Sequence, residues 1–407
     1  MTIAFLTAFL LLTNYWTGLP SHTHPWGTDV ISYQEMALPA PGLPHVVIGS
    51  AYTQRFVPHY LVGLFNWATA SGIHAAYRIL WALCFAGLIG VFARALLALR
   101  LTKVVFALSF ALFLLNPYSL RESILTPGAV QDLTFVLGLG LIMWGLLDDA
   151  FALVLAGSAV AILSRQTALL VAPVAAYWVL RGPGWREQAV RLRRGRAIGV
   201  ILLTAVLYVA TDLLTSSFTR RFQPRFPRDT ILSLLVPSHG HISTLASHLG
   251  RCAIALIIPT TVILAALLAA RLRGSRAERL PFEFYASLLI GAAVIIQPIG
   301  VSPSFPGFAH NEQRLVGIGL LPIAVAAAIA LRQGQRQGVL NLSPIRVGIA
   351  LVALMVGSLH HIFTRVGPPS LSAFVALQIV VAAGVFVALV APTNSSSRRS
   401  APAQGHV

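Results

Sequence analysis

The sequence predicts an all-α, polytopic integral membrane protein with about ten to twelve transmembrane helices. Of its 407 residues 57% are hydrophobic, only 10% are charged, and the mean hydropathy is +0.78, whereas soluble domains carry about 25% charged residues. The apolar character extends over nearly the whole length, which excludes a disordered chain and a single-pass anchor. Cys84 and Cys252 lie in or against apolar runs, so neither a disulfide framework nor a thiolate metal site is expected. The formal charge of +17 comes from 29 basic residues, of which only Lys103 is lysine. Such a balance suggests nucleic acid when the basic residues share a soluble face. Here they stand at the ends of apolar runs, and no nucleic-acid partner is expected.

A membrane helix needs about 20 mostly apolar residues. Twelve runs are of adequate or nearly adequate length: 3–20, 74–97, 103–117, 132–147, 150–165, 167–180, 197–214, 252–270, 283–301, 314–331, 347–363 and 373–391. The first has no basic segment ahead of it and no small-residue cleavage site before Pro20, so it is expected to be a retained helix and not a signal peptide. With the amino terminus inside, eighteen basic residues fall inside and eleven outside. The positive-inside rule favours that orientation, which places both termini in the cytoplasm and the chain in a bacterial cytoplasmic membrane. Residues 1–391 then form one transmembrane domain, and the Ser-rich stretch 392–407 is expected to be a disordered cytoplasmic tail. The glycines Gly138, Gly140 and Gly145 suit close helix packing better than a nucleotide loop.

On this topology eleven of the twelve histidines fall at or near the outer side, with Asp29, Glu35, Glu122, Asp132, Asp212, Asp229 and Glu312. Arginines that oppose the inside bias gather there too, most densely Arg220, Arg221, Arg225 and Arg228 in a Pro-rich loop over residues 215–251. Guanidinium forks at headgroup level are natural partners for a lipid phosphate; simple anchoring to anionic lipid is the plainer reading. The pairs His22/His24 and His239/His241 invite a divalent metal, but the spacing is not a recognised zinc pattern. No metal or cofactor is expected.

The first outer loop, residues 21–71, is long enough to expect function in it. Asp29 can cap a short helix that presents Tyr33 one turn later on the same face. Arg55-Phe-Val-Pro58 reads as a second helix start, with proline in its first turn. Asp29 and Arg55 are thereby expected to share a cavity mouth.

These features resemble the GT-C class of polytopic glycosyltransferases, which use polyprenyl-phosphate sugars on the outer or lumenal face. Gly27-Thr-Asp29-Val-Ile-Ser-Tyr33 resembles the acidic motif of that class after its first helix, and Arg55-Phe-Val-Pro58-His-Tyr-Leu61 resembles its arginine before Pro-x-Leu. Asn116-Pro-Tyr-Ser-Leu-Arg121-Glu122 with Asp132, and Ser164-Arg165 ahead of Pro173, match later elements in order and sidedness over roughly the first 180 residues. The resemblance implies inverting transfer of a sugar from a polyprenyl-phosphate donor to a hydroxyl of a glycan, lipid or protein. Asp29 would be the general base, and Glu122 and Asp132 would orient the acceptor. Arg55, Arg165, Arg220, Arg221, Arg225 and Arg314 would meet the donor phosphate, and Tyr33 and Glu312 would contact substrate.

Each role has a structural counterpart. Asp29 can be a helix cap, Arg165 the partner of a nearby carboxylate, Glu312 and Arg314 a surface pair, and Tyr33 an interfacial anchor. A secondary transporter, a polymerase or ligase using a lipid-pyrophosphate donor, and a non-catalytic scaffold remain as other functions. A transporter normally shows ionisable residues within its spans or paired repeats with broken helices, and the sequence shows neither clearly.

Overall fold

The computed structural model describes residues 1–17, 27–120, 124, 127–220, 249–250, 252–272, 280–300, 312–340, 342–359 and 371–390. Each of the twelve apolar runs is helical over most of its described residues, with a turn breaking the run 252–270 at 255–256 and the run 314–331 at 318–319. In chain order the elements are α1 (Thr2–Thr17), α2 (Gly27–Ala37), β1 (Ile48–Gly49), α3 (Ser50–Thr53), α4 (Phe56–Thr69), α5 (Ile73–Ala98), α6 (Lys103–Leu114), α7 (Val130–Leu147), α8 (Phe151–Ser164) and α9 (Ala168–Arg181). They continue with α10 (Val190–Thr215), β2 (Thr219–Arg220), α11 (Ile257–Leu272), α12 (Phe282–Gly300), α13 (Glu312–Gly317), α14 (Leu320–Arg336), α15 (Pro344–Ser358) and α16 (Leu371–Val390). Among the described residues four helices, Ile73–Ala98, Val130–Leu147, Val190–Thr215 and Ala373–Val390, are long and apolar enough to cross a membrane, and seven shorter ones are predominantly apolar. The chain is a polytopic, all-α membrane protein but for one two-residue strand pairing among the described residues.

Sequence chemistry sets several of the turns. Thr102 caps α6 by accepting from the Val105 amide at 3.4 Å, and α15 opens on Pro344, where a missing amide proton costs nothing. Between α7 and α8 the tight reversal puts Asp149 at φ 55°, a left-handed conformation that Asp tolerates better than most residues.

The bundle is organised around α14. Every residue from Leu320 to Leu331 is buried, because α5, α6, α7, α11 and α12 pack around it. An apolar sequence on all faces is what such a position requires. One end of α14 is fixed by Arg332, which donates to Leu99 O at 2.6 Å, and by Thr102, which donates to Gln335 Oε1 at 2.9 Å. The ends of α5, α6, α9 and α10 that carry most of the basic residues lie at this far end of the bundle.

The α7–α8 hairpin is the most intimate pairing. A Cβ at Gly138 would stand 2.6 Å from Ala161 N, one at Gly145 2.7 Å from Val154 N, and one at Gly157 2.6 Å from Ile142 N. Backbone therefore meets backbone, the use of small residues that membrane helices favour. Gly140 points elsewhere, toward Val91 and Leu321.

At the other end a cap covers the bundle. Ile48 and Gly49 of β1 pair in parallel with Thr219 and Arg220 of β2, a contact the sequence pattern did not suggest. Tyr33, Met36, Ile48, Phe56 and Phe218 form a small apolar core of their own. The helix α4 packs on α2 so closely that a Cβ on Gly63 would fall 1.9 Å from Ala37 O. It also rests against α5, α7 and α8. The tail 392–407, expected to be disordered, lies outside the described residues.

Replacing Gly138 or Gly157 with leucine should overpack the hairpin by about 1–3 kcal/mol or more. The expected outcome is a lowered melting temperature and aggregated protein on size-exclusion chromatography in detergent.

Candidate functional site

The polar residues of the cap converge on the first turn of α7. Its second and third residues, Gln131 and Asp132, are buried, as is Arg165, which follows directly on α8. Arg165 NH1 donates to Asp132 Oδ1, an ion pair closed off from solvent. A carboxylate in the first turn gains from the helix dipole. Arg165 is presented by the reversal between α8 and α9, where its extended backbone (φ −156°, ψ 135°) ends one helix three residues before the next.

Gln131 points another way, since consecutive helical residues are about 100° apart. Its Nε2 donates to the Tyr33 hydroxyl at 3.0 Å, and Arg55 NH1 donates to the same oxygen at 2.7 Å. Tyr33 is buried and its ring stacks on His59, with centroids 4.1 Å apart and planes 8° from parallel. Tyr52 meets the Tyr33 ring edge-on at 5.8 Å. These contacts join α2, the α3–α4 turn and α7 into one cluster.

The hydrogen-bond pattern fixes the tautomer of His59. Tyr77 has one hydroxyl proton, which it donates to Tyr33 O at 3.1 Å. The 2.9 Å contact with His59 Nδ1 is therefore donated by the ring, and Nε2 is left as an acceptor. Among the described residues, His59 Nε2 and Gln131 Oε1 are buried without a hydrogen-bond partner.

His59 is strongly perturbed. Burial and the nearby Arg55 guanidinium lower its pKa from 6.5 to about 3, against weaker opposing effects of Asp132 and Gln131. It is neutral at physiological pH. The same interactions show that Arg55 and Asp132 both lie within electrostatic reach of one imidazole.

Of the residues expected to form the site, four are thus drawn together in two pairs: Tyr33 with Arg55, and Asp132 with Arg165. Asp29 is the third residue of α2, within its first turn and one turn ahead of Tyr33; its side chain lies outside the described residues. So do the side chains of Arg220 on β2 and of Glu312 and Arg314 on α13, while Glu122, Arg221 and Arg225 lie outside altogether. The helix α13 is nonetheless placed at the cap end, with Gly317 against Tyr118 O. There Asn116 ties its turn to the turn just ahead of α11 by donating to Ala255 O at 3.0 Å. The histidine pairs at 22/24 and 239/241 also fall outside, and among the described residues no three His, Cys, Asp or Glu side chains group as metal ligands do.

No family model matches the chain, and no curated protein does. Two solved structures are similar to it. They are ArnT from Cupriavidus metallidurans in the apo state, at 16% identity and a TM-score of 0.48, and the same protein bound to undecaprenyl phosphate, at 15% and 0.45. Each comparison covers 95% of this chain and 75% of that one.

Gln131, His59 and Tyr77 were not singled out by the sequence. His59 is one helical turn beyond Arg55, and Gln131 adjoins Asp132, but a polar residue near a helix start carries no mark of its own in the sequence.

Two outcomes follow from this geometry. Asp132→Asn or Arg165→Met alone should destabilise by about 3–5 kcal/mol, because each strands a buried partner, whereas the double Asp132→Leu/Arg165→Met variant should recover much of the loss; thermal melting in detergent reads this. For His59, the unfolded chain binds a proton below pH 6.5 and the folded chain only near pH 3. Stability should therefore fall as pH drops through that window, and the fall should be shallower in His59→Gln when melting is followed from pH 7 to 4.

Proposed function

We propose that the chain is a membrane glycosyltransferase. It moves a sugar from a polyprenyl-phosphate-linked donor to an acceptor hydroxyl at the cap end, which the arginine distribution assigns to the extracytoplasmic face of a bacterial cytoplasmic membrane. The observation that carries this reading is the buried cluster of Arg55, Tyr33, His59, Gln131, Asp132 and Arg165 under the cap. Charged groups are held in a low-dielectric setting just where a lipid headgroup meets the bundle. Chemistry that develops negative charge on a departing phosphate needs such fixed cations, which need not reorganise as the charge appears.

The reaction proposed is a single displacement. The acceptor oxygen attacks the anomeric carbon, the bond from that carbon to the phosphate oxygen breaks, and the phosphate leaves with the electron pair. One attack from the opposite face inverts the configuration. The acceptor proton passes to a carboxylate, and Asp29 is assigned that role; it sits about 6 Å along α2 from Tyr33, on the same face. Arg55 and Arg165 are assigned to the phosphate, with Arg220 contributed by β2, Arg221 and Arg225 by the residues that follow it, and Arg314 by α13. Asp132 holds Arg165 in place and, with Glu122, is assigned to orient acceptor hydroxyls; Tyr33 and Glu312 are assigned the remaining substrate contacts. No step is assigned to a metal or cofactor. The acceptor class is a glycan, lipid or protein hydroxyl.

The interior of the bundle fits this reading better than it fits transport. The buried stretch Leu320–Leu331 of the central helix is apolar at every position, whereas ion-coupled carriers place ionisable groups near mid-membrane.

The test uses purified wild type and Asp29→Asn with a panel of radiolabelled polyprenyl-phosphate sugars and membrane lipid extract. Wild type should move label to a new acceptor, and Asp29→Asn should fall by about 10²–10⁴-fold while still binding donor. Arg165→Gln and Arg225→Gln should weaken donor binding. Turnover retained by Asp29→Asn removes it from the base role; absence of both transfer and donor binding in wild type returns the chain to the transporter or scaffold readings.

A further inference from the structure

At the far end of the bundle, remote from the cap, α8 and α10 leave an open groove of about 710 Å³ between them. Phe151 and Leu155 line one side, and Leu192, Gly195, Gly199 and Leu203, three or four residues apart on one face of α10, line the other. Its depth comes from glycine. A Cβ on Gly195 would meet nothing within 4 Å, and one on Gly199 only the Phe151 ring at 3.6 Å. Two cations, Arg191 and Arg196, stand in the same lining.

Arg196 is built into the wall. Its guanidinium carbon lies 5.2 Å from the centroid of Phe151 and 5.7 Å from that of Trp185, and NH1 donates to Gln188 Oε1 at 2.5 Å. Trp185 is itself fully buried and donates to Leu146 O at 3.3 Å. A stacked guanidinium of this kind is oriented in advance and has five N–H donors to distribute. Beyond the groove α10 exposes Ile198, Leu202 and Val206, which places the open side against hydrocarbon.

We propose that this groove binds one anionic glycerophospholipid from the leaflet at the far end, with its phosphate on Arg191 and Arg196 and an acyl chain along Gly195, Gly199 and Leu203. Charge selects the occupant. The first turns of α10 carry Arg191, Arg193, Arg194 and Arg196, which would repel a second copy of the same helix and attract a phosphodiester at the headgroup level. An apolar slot joined to a fixed cation suits a molecule with an acyl chain and an anionic head.

Native mass spectrometry of the full chain, released from detergent after incubation with palmitoyl-oleoyl phosphatidylglycerol or the matching phosphatidylcholine, tests this. Wild type should retain one phosphatidylglycerol and discriminate against phosphatidylcholine. The Arg191→Gln/Arg196→Gln variant should bind it about twenty-fold more weakly. Gly195→Leu, which fills open space and keeps every arginine, should lose the retained lipid as well, with an unchanged melting temperature; Leu203→Phe blocks the other end of the slot as an independent check. Retention at the wild-type level in both filled variants, or equal retention of the two lipids by wild type, overturns the proposal, since either marks adsorption without a groove.

Discussion

The first turn of α7 is the joint on which the cap depends. Gln131 and Asp132 are neighbours in sequence, yet the helix turns them toward different partners, one to Tyr33 and Arg55 of the first loop and the other to Arg165 between α8 and α9. One helical turn thus connects three separate stretches of chain. Its own position is rigid, because α7 is clasped backbone to backbone against α8 through Gly138, Gly145 and Gly157. Displacing this turn would leave several buried polar groups without partners, each at a cost of about 1–3 kcal/mol.

The molecule divides its polar chemistry between two ends. At the far end arginines lie near or beyond the last helical turns and pair with carbonyls and aromatic rings, as Arg332 does with Leu99 O and Arg94 with the Trp144 ring at 5.7 Å. Under the cap the charges are sealed in. Arg165 and Asp132 are both almost inaccessible, and His59 is pushed to the neutral form by burial and by Arg55. Holding a charge pair in such a place gains little stability over an apolar pair of the same volume. Its presence makes sense when the pair acts on something charged, such as the lipid phosphate of the proposed donor.

Much of the fold was legible because lipid imposes a simple rule: about 20 apolar residues per crossing, with arginine at the ends. All twelve runs are helical over most of their described residues, and the packing role of Gly138 and Gly145 followed the pattern. In the cap, Tyr33 lies one turn after Asp29 on α2, and Arg55 immediately precedes α4, whose first turn holds Pro58. The partners of these residues could not be read. The sequence offers Arg165 as the partner of a nearby carboxylate, and the structure makes that partner Asp132, 33 positions away; which carboxylate it would be was not legible, because sequence spacing carries no record of which helix ends become neighbours. The short pairing of β1 with β2 spans 170 positions between Ile48 and Thr219 and has no periodicity to announce it. Gln131, His59 and Tyr77 look like ordinary polar residues at helix starts; only their enclosure by Tyr33 sets them apart.

The central claim is that the cluster beneath the cap receives a lipid phosphate. Photo-crosslinking with a polyprenyl phosphate carrying a diazirine on the isoprene next to the phosphate tests it most directly, with labelled peptides mapped by mass spectrometry. Labelling should concentrate on the segments around Tyr52–Tyr60, Ala129–Leu133 and Ser164–Ala168, and should be competed away by unlabelled polyprenyl phosphate but not by the matching alcohol. Label confined to the lipid-facing helices, or to the arginine-lined groove at the opposite end, would contradict it.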